Sequence, residues 1–450
     1  MTTPRLAVLL WAAAAALSAA GPLRVLPSNP RWFTDDSGRA VYLTGSHTWQ
    51  SLQDHGLLAP RLRDPAARAF DFDAYLDFLE KRGHNFIRLW RWEAPMWHDP
   101  EPSPAAQTCR PHPWPRTGPG MARDGKPKFD LERFDPEYFD RLRARVSAAG
   151  ARGMYVSVML FEGWEFQFRD AWEYHPFNAA NNVNGVAGEK TAYIGLTNPR
   201  VTALQEAYVR KVVDTVNGLD NVLYEVSNEA GADSTAWQYH VIRYVKEYQS
   251  GKPKQHPVGM TFQYRGGANR TLYDSPADWI SPNSTPEENY RDDPPSRFSG
   301  KVVLTDTDHI WGHTGGDALW VWKSFCRGLN PLLMEELTPS PAWQDSAREA
   351  MGQTRRWSGR VNLAAMTPAG ELSATRYCLA DRGREYLVFQ KGDLGEFGVN
   401  LKDAPGRFAV EWFHVTTGAS LPARPVEGGA TRTFTTPFGG PAVLYLKKLP

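Results

Sequence analysis

Residues 221–230 read NVLYEVSNEA. An apolar, strand-like run ends in Ser227-Asn228-Glu229, and small residues follow, so Glu229 is expected at the open end of a strand. Glycoside hydrolysis requires one carboxyl to protonate the leaving oxygen and a second to attack the sugar or activate water. The proton donor needs a raised pKa, which partial burial and a neighbouring carboxylate supply. The second carboxyl is sought in residues 301–309, where an apolar run ends in Thr305-Asp306-Thr307-Asp308-His309. Two Asp at i and i+2 share one face if the chain stays extended. Asp308 lies further past the apolar part and is favoured, with Asp306 as the alternative. Glu335 and Glu336 close another apolar run and are rivals for the same role. The structural alternatives are a helix-capping Glu229 and an Asp306 or Asp308 that merely pairs with a buried arginine.

That arginine is Arg88, within NFIRLW, because a charge inside an apolar strand needs a partner. His47 in GSHTW, Tyr264 after residues 257–262, and His175 in an aromatic-rich loop are candidates for substrate contact. Each is equally open to a structural role. Asp306, Asp308, His309 and His313 also offer oxygen and imidazole ligands, so a metal-dependent hydrolase is an alternative. Their spacing matches no strong metal motif, and neither a metal nor an organic cofactor is expected.

These residues need a scaffold, and a strand–helix alternation runs for some three hundred residues. Phe72, Tyr75, Leu76 and Leu79 follow the spacing of one helix face. Asp135-Pro136 and Asn198-Pro199 each read as an N-cap followed by a proline at the first helical position, and Ser234 is a further cap. Strands are predicted at 41–44, 85–90, 154–160, 222–226, 257–262, 278–281, 301–306 and 331–334. Helices fall between most of them but are weak or missing between the strands from 257 to 306. Eight strands in this pattern predict an α/β fold, a (β/α)8 barrel over residues 21–368. An open doubly wound sheet is less favoured, because no glycine-rich phosphate loop follows the first strand. A hairpin around Asp35-Asp36-Ser37-Gly38 precedes the barrel.

Two long loops follow strands and would lie at the barrel mouth: proline-rich residues 98–120 and aromatic-rich residues 162–198. Beyond residue 368 the pattern becomes short strands split by Gly- and Pro-bearing turns. This predicts a small all-β sandwich over residues 369–450.

Composition narrows the partners. The chain has 51 Lys+Arg against 50 Asp+Glu, a net charge of +1, so no broad positive field exists for nucleic acid or anionic membrane. The first twenty residues combine Arg5, the apolar run 6–17 and Ser18-Ala19-Ala20, which reads as a signal peptide cleaved after Ala20 and a secreted or periplasmic product. No stretch is long enough for a transmembrane helix. Three distant cysteines, Cys109, Cys326 and Cys378, make no disulfide framework. The chain carries 17 Trp. Trp49, Trp92, Trp97, Trp164, Trp279 and Trp311 follow predicted strands, where flat apolar rings suit sugar stacking. Trp90, Trp320 and Trp322 are assigned to core packing.

Asn228-Glu229 after the fourth strand, with Arg88 on the second, resembles the clan of retaining (β/α)8 glycoside hydrolases that includes cellulase-like enzymes. More closely, RWFTDDSGRAVYLTGSHTW, FDPEYFDRL, EWFHVTTG and FTTPFGGPAVLYL resemble the apiosidase-like bacterial barrels, whose C-terminal β module is named for collagen binding. The resemblance spans nearly the whole chain after residue 20. It implies that Glu229 is the acid/base and that Asn228 binds the sugar 2-hydroxyl. Two positions depart from the relatives. Asp-Thr-Asp-His stands where they carry a Gly-Glu-Pro-type turn, with Asp308 the best match to its Glu, and Ser46-His47 replaces Asp-Thr. The expected protein is thus a retaining glycoside hydrolase acting on a plant or bacterial polysaccharide or oligosaccharide. Asp308 or Asp306 is its nucleophile. Trp49, Trp92, Trp164, Trp311, His47, His175, Tyr264, His309, Arg88 and Asn228 contact its carbohydrate. A non-catalytic glycan- or matrix-binding protein on a decayed barrel is the competing expectation.

Overall fold

The computed structural model describes residues 21–58, 69–98, 106–186, 188–297, 299–313, 315–335 and 342–450. The expected signal peptide and Glu336 lie outside the described residues. Eight strands close a parallel barrel: β1 Gly45–Thr48, β2 Phe86–Leu89, β3 Tyr155–Glu162, β4 Val222–Asn228, β5 Val258–Thr261, β6 Trp279–Ser281, β7 Val302–Asp306 and β8 Asn330–Met334. The first strand begins four residues later than predicted. The side chains of Asn330 and Asn85 hold the backbone amides of Leu43 and Thr44, so these residues enter the barrel outside its ladder. Ala40–Val41 instead completes a small antiparallel sheet with Arg24–Val25 and Phe33–Thr34. Its Phe33 joins Leu43, Phe86, Leu223, Trp279, Leu304 and Leu332 in an apolar floor.

Helices α1 Phe72–Lys81, α2 Pro136–Ala151 and α3 Pro199–Val216 start on the side chains of Asp71, Asp135 and Asn198, as their sequences direct. In α4, Thr235–Ser250, Ser234 makes no side-chain cap and donates its hydroxyl to the Gly231 carbonyl. Between β5 and β6 the helix shrinks to Asn269–Asp274. Between β6 and β7 no helix forms among the described residues. Pro282, Pro286, Pro294 and Pro295 interrupt that segment, and proline removes the backbone donors a helix needs.

The two expected loops carry structure of their own. In the proline-rich segment, Ala106–Arg110 pairs with both Asp54–Leu58 and Met96–His98, and Arg116–Met121 pairs with Pro127–Phe129. The aromatic segment contains a short helix, Trp164–Phe168, immediately after β3.

The C-terminal residues form a six-stranded antiparallel sheet and a two-stranded one. One face of the larger sheet packs Val388, Trp412 and Leu444 with Phe397, Val399 and Phe434 of the smaller. The opposite face meets the barrel's last helices. Trp322 lies 6.1 Å from Phe389 and 5.9 Å from Phe413, and Trp357 lies 5.2 Å from Tyr445 (ring centroids).

Candidate active site

Arg88, on β2, is fully buried and is the hub of the mouth. Its Nε and Nη2 donate to Glu225 of β4, each at 2.7 Å. Nη1 donates to Asp306 Oδ2 at 2.9 Å, and Nη2 donates to Asn228 Oδ1 at 2.6 Å. The buried-charge rule therefore found one partner, Asp306, and missed another, Glu225. Period-two alternation puts Glu225 on the same side of β4 as Ser227, which is the signal that would have turned it inward.

Asp306 is locked from every side. His47 Nε2 donates to its Oδ1 at 3.0 Å, and that same oxygen accepts the Asp308 amide at 3.0 Å. Burial alone would raise its pKa, but His47 and Arg88 outweigh burial and hold it well below the usual carboxylate range. Accepting the Asp308 amide makes Asp306 the N-cap of a short helix, Thr307–Trp311. The expected extended i, i+2 pair is thus broken, and only Asp308 of the two lines the mouth cleft. Asp308 Oδ2 lies 3.6 Å from Arg88 Nη1, beyond hydrogen-bond distance. No group among the described residues hydrogen-bonds that oxygen. Burial, reinforced by Asp306, raises the Asp308 pKa against the pull of His47 and Arg88.

Glu229 opens on the same cleft. It has φ 45°, in the left-handed region that a side chain enters only at an energetic cost. Its carbonyl accepts from Gln167 Nε2. Burial, then the charges of Asp308 and Glu162, push its pKa well above the carboxylate norm.

A group of buried carboxyls not foreseen from the sequence lies behind Glu229. Glu162 ends β3, beside Asn228 in the strand register. It accepts from Asn228 Nδ2 at 3.2 Å and from the amides of Trp164 and Glu165, each at 2.9 Å. Burial raises Glu162 to about 8. Glu165 receives the amides of Glu93 and Ala94. Burial and the charge of Glu162 push Glu165 well above its ordinary range. Burial would raise Glu93 too, but Arg91 and His175 hold it low.

The cleft, about 430 Å³, is lined by Trp49, Trp90, Trp92 and Trp164 together with Asn228, Glu229 and Asp308. Trp49 and Trp92 meet edge to face at 5.5 Å. Trp90, expected in the core, stacks on His47 at 5.2 Å and reaches the cleft. The indole N–H groups of Trp49 and Trp90 are buried with no hydrogen-bond partner among the described residues.

Other expected contacts lie elsewhere. His175 is buried and does not line the cleft, stacked on Trp172 at 5.0 Å and bonded to Glu93. Trp97 packs behind Trp92 at 4.7 Å. Trp311 packs on Trp320 at 5.3 Å, and Tyr264 is largely exposed beside Phe168. Trp279 starts β6 and fills the barrel floor. His309 takes the Ser281 hydroxyl on Nδ1 at 2.7 Å and donates Nε2–H to Asn228 Oδ1 at 3.3 Å. Burial and Arg88 lower its pKa to about 3, which keeps it neutral. Glu335 lines the cleft but is held bidentately by Arg348 at 3.0 and 2.6 Å. Among the described residues, no group of three or more His, Cys, Asp or Glu is arranged to hold a metal ion.

Residues 75–264 match the model of a domain of unknown function, DUF6298. No curated protein sequence matches the chain. Solved structures of glycoside hydrolases share the fold. One described simply as a glycoside hydrolase superposes with a TM-score of 0.59 at 13% identity, covering 95% of this chain and 97% of its own. A family 5 glycoside hydrolase from Bacteroides vulgatus gives 0.62 at 12% identity, covering 95% and 93%. The closed barrel followed by antiparallel sheets is therefore the architecture of known glycoside hydrolases.

Proposed function

We propose that the protein is a retaining glycoside hydrolase in which Glu229 is the acid/base and Asp308 the nucleophile. One observation carries this reading. Two carboxyls, Glu229 and Asp308, open on one tryptophan-lined cleft, while Asp306 is tied down beneath them by Arg88 and His47. The division of labour follows from environment. Glu229 is pushed well up by burial and neighbouring carboxyls and keeps a proton to donate, and Asp308 faces the Arg88 and His47 that favour its anion.

Glu229 protonates the glycosidic oxygen as the bond from that oxygen to the anomeric carbon breaks. Asp308 forms a new bond to the same carbon, giving a glycosyl-enzyme. Glu229, now a carboxylate, takes a proton from water, and that water displaces Asp308 and releases the sugar. Asn228, with its amide oxygen fixed by Arg88 and His309 and one amide hydrogen given to Glu162, has its second amide hydrogen for the sugar 2-hydroxyl. The aromatic rings of Trp49 and Trp90, which line the cleft, suit stacking against the same ring. Carbohydrate, in a plant or bacterial polysaccharide or oligosaccharide, is the substrate class, and export past a leader of about twenty residues brings the protein to it.

The test is a panel of polysaccharides and aryl glycosides, with Glu229→Gln and Asp308→Asn as controls. Turnover by the parent and its loss in both variants is expected, and proton NMR of the first product should show the substrate's own anomer. Full turnover by Glu229→Gln on a substrate with a poor leaving group defeats the mechanism. An inverted product removes the nucleophile role, since inversion requires carboxyls roughly 6.5–9.5 Å apart rather than about 5–5.5 Å.

A further inference from the structure

The glycosidase reading gives no task to Glu162, although this carboxyl is buried beside the proposed acid/base without lining the cleft. The inference that follows rests on that reading. Asn228 has donors on one side only. Arg88 Nη2 and His309 Nε2 both point at its Oδ1, so its Nδ2 needs an acceptor, and Glu162 Oε1 supplies it. The strand register puts these two residues side by side, one position before Glu229.

The charges around Glu162 decide what it does with its own proton. From its own turn it meets the charge of Glu165; from the segment after β2, Glu93; and from the residue just past β4, Glu229. The charges of Asp308 and Asp306 also bear on Glu229. Both nearby cations are engaged. Arg88 binds Glu225 and Asp306, and Arg91 lies 3.5 Å from Glu93, which also meets His175 and Tyr193. Three N–H donors favour the Glu162 anion, but with no cation paired to it among the described residues it is held neutral until mildly alkaline pH.

We propose that Glu162 is a positioning residue acting through Asn228 and Glu229. It fixes the Asn228 amide for a substrate hydroxyl, and its ionisation determines how strongly Glu229 holds the catalytic proton. A negative Glu162 strengthens that hold. Its neighbour can then remain an acid at a pH where a lone buried carboxyl, already ionised, would have stopped donating.

Two variants and two readouts test this. Glu162→Gln keeps an acceptor for Asn228 and cannot ionise, whereas Glu162→Ala removes both properties. On any substrate from the panel, Glu162→Gln should move the alkaline limb of kcat/KM down by about one pH unit. Below that limb it should retain most activity, while Glu162→Ala loses roughly tenfold or more across the whole range. Coincident alkaline limbs for the parent and Glu162→Gln, or equal losses in both variants, overturn the proposal.

The second readout needs no substrate. A carboxyl whose folded pKa is raised costs stability as pH climbs from the ordinary carboxylate range to its folded value. Denaturant unfolding of the parent and Glu162→Gln should therefore diverge between pH 5 and about 8. The variant should gain about tenfold or more in relative folding equilibrium constant. Taking the difference between the two proteins cancels the buried histidines, which titrate in both. A constant difference overturns the proposal even if a substrate is in hand. A diverging one, with no sugar released from any substrate, upholds the Glu162 titration and defeats the glycosidase reading instead.

Discussion

At the floor of the barrel, the Trp279 indole lies across Gly259 of the neighbouring strand, and a Cβ at Gly259 would come within 1.8 Å of the ring. Phe86, Leu223, Leu304 and Leu332 fill the rest. At the mouth, the same strands end in Arg88, Glu225, Asn228 and Asp306, with Glu162, Glu229 and Asp308 around them. The floor removes apolar surface from water and leaves few polar groups to satisfy. The mouth buries charges, each of which needs a partner, and leaves Asp308 Oδ2 without a hydrogen bond among the described residues. The contrast separates two tasks. One end supplies stability, and the other holds carboxyls in states that water would not allow.

The largest effect expected from breaking this contrast is at Glu229. Glu229→Gln should lower kcat by about 10²–10⁴-fold on substrates with poor leaving groups. It should leave urea unfolding unchanged or shift it to higher denaturant, because it removes a carboxyl crowded by Asp308 and Glu162. A protein that loses both activity and stability would show that Glu229 serves the fold. Next is Arg88→Ala, which leaves Glu225 and Asp306 buried without their cation. A loss of about 3–5 kcal/mol in unfolding free energy is expected. At the floor, Trp279→Ala should cost about the same by leaving a cavity, yet keep kcat per folded molecule. If Trp279→Ala abolishes activity in protein that remains folded, the two ends are not separable. Gly259→Ala, which presses a methyl into that ring, should cost about 1–3 kcal/mol.

Much of the floor could be read from the sequence, because apolar strands of limited length announce themselves by composition and by the caps that follow. Asp135-Pro136 and Asn198-Pro199 start their helices where local chemistry says they must. Only part of the mouth was legible. Glu229 at a strand end and Arg88 within a strand stand out as polar residues in apolar runs. Glu93 and Glu165 do not, because they sit in segments rich in polar and aromatic residues, whereas Glu162 ends the apolar run of β3 and carries the same strand-end signal as Glu229. What makes them matter is proximity across strands 60 or more residues apart in sequence, as between Glu162 and Asn228. The condition on the Asp306-Thr307-Asp308 pair, that the chain stay extended, is not met because one hydrogen bond, from the Asp308 amide to Asp306, turns the chain into a helix. In the C-terminal sheet, Pro422 and Pro425 hide the strand Ser420–Glu427 from its sequence pattern. An edge strand tolerates proline, and this strand is at the edge.

The smallest effect sharpens the comparison within the mouth itself, where four tryptophans line one cleft but differ in what holds them. Trp92 is fully buried, donates its N–H to the Trp49 carbonyl and touches Trp49, Trp90, Trp97 and Trp164. Trp164 is only partly buried, on the short helix after β3, with Arg169 over its ring at 4.4 Å. Truncating Trp92 empties a packed site, so Trp92→Ala should cost about 3–5 kcal/mol of stability. Truncating Trp164 removes a face available to a sugar while leaving the packing behind it intact. Trp164→Ala should therefore shift thermal unfolding by no more than a few degrees. It should raise KM roughly 2- to 13-fold, the value of one aromatic face at about 0.5–1.5 kcal/mol, with kcat nearly unchanged. An unchanged KM, measured on the same substrate as the parent, would remove Trp164 from the binding surface and leave stacking to Trp49 and Trp90.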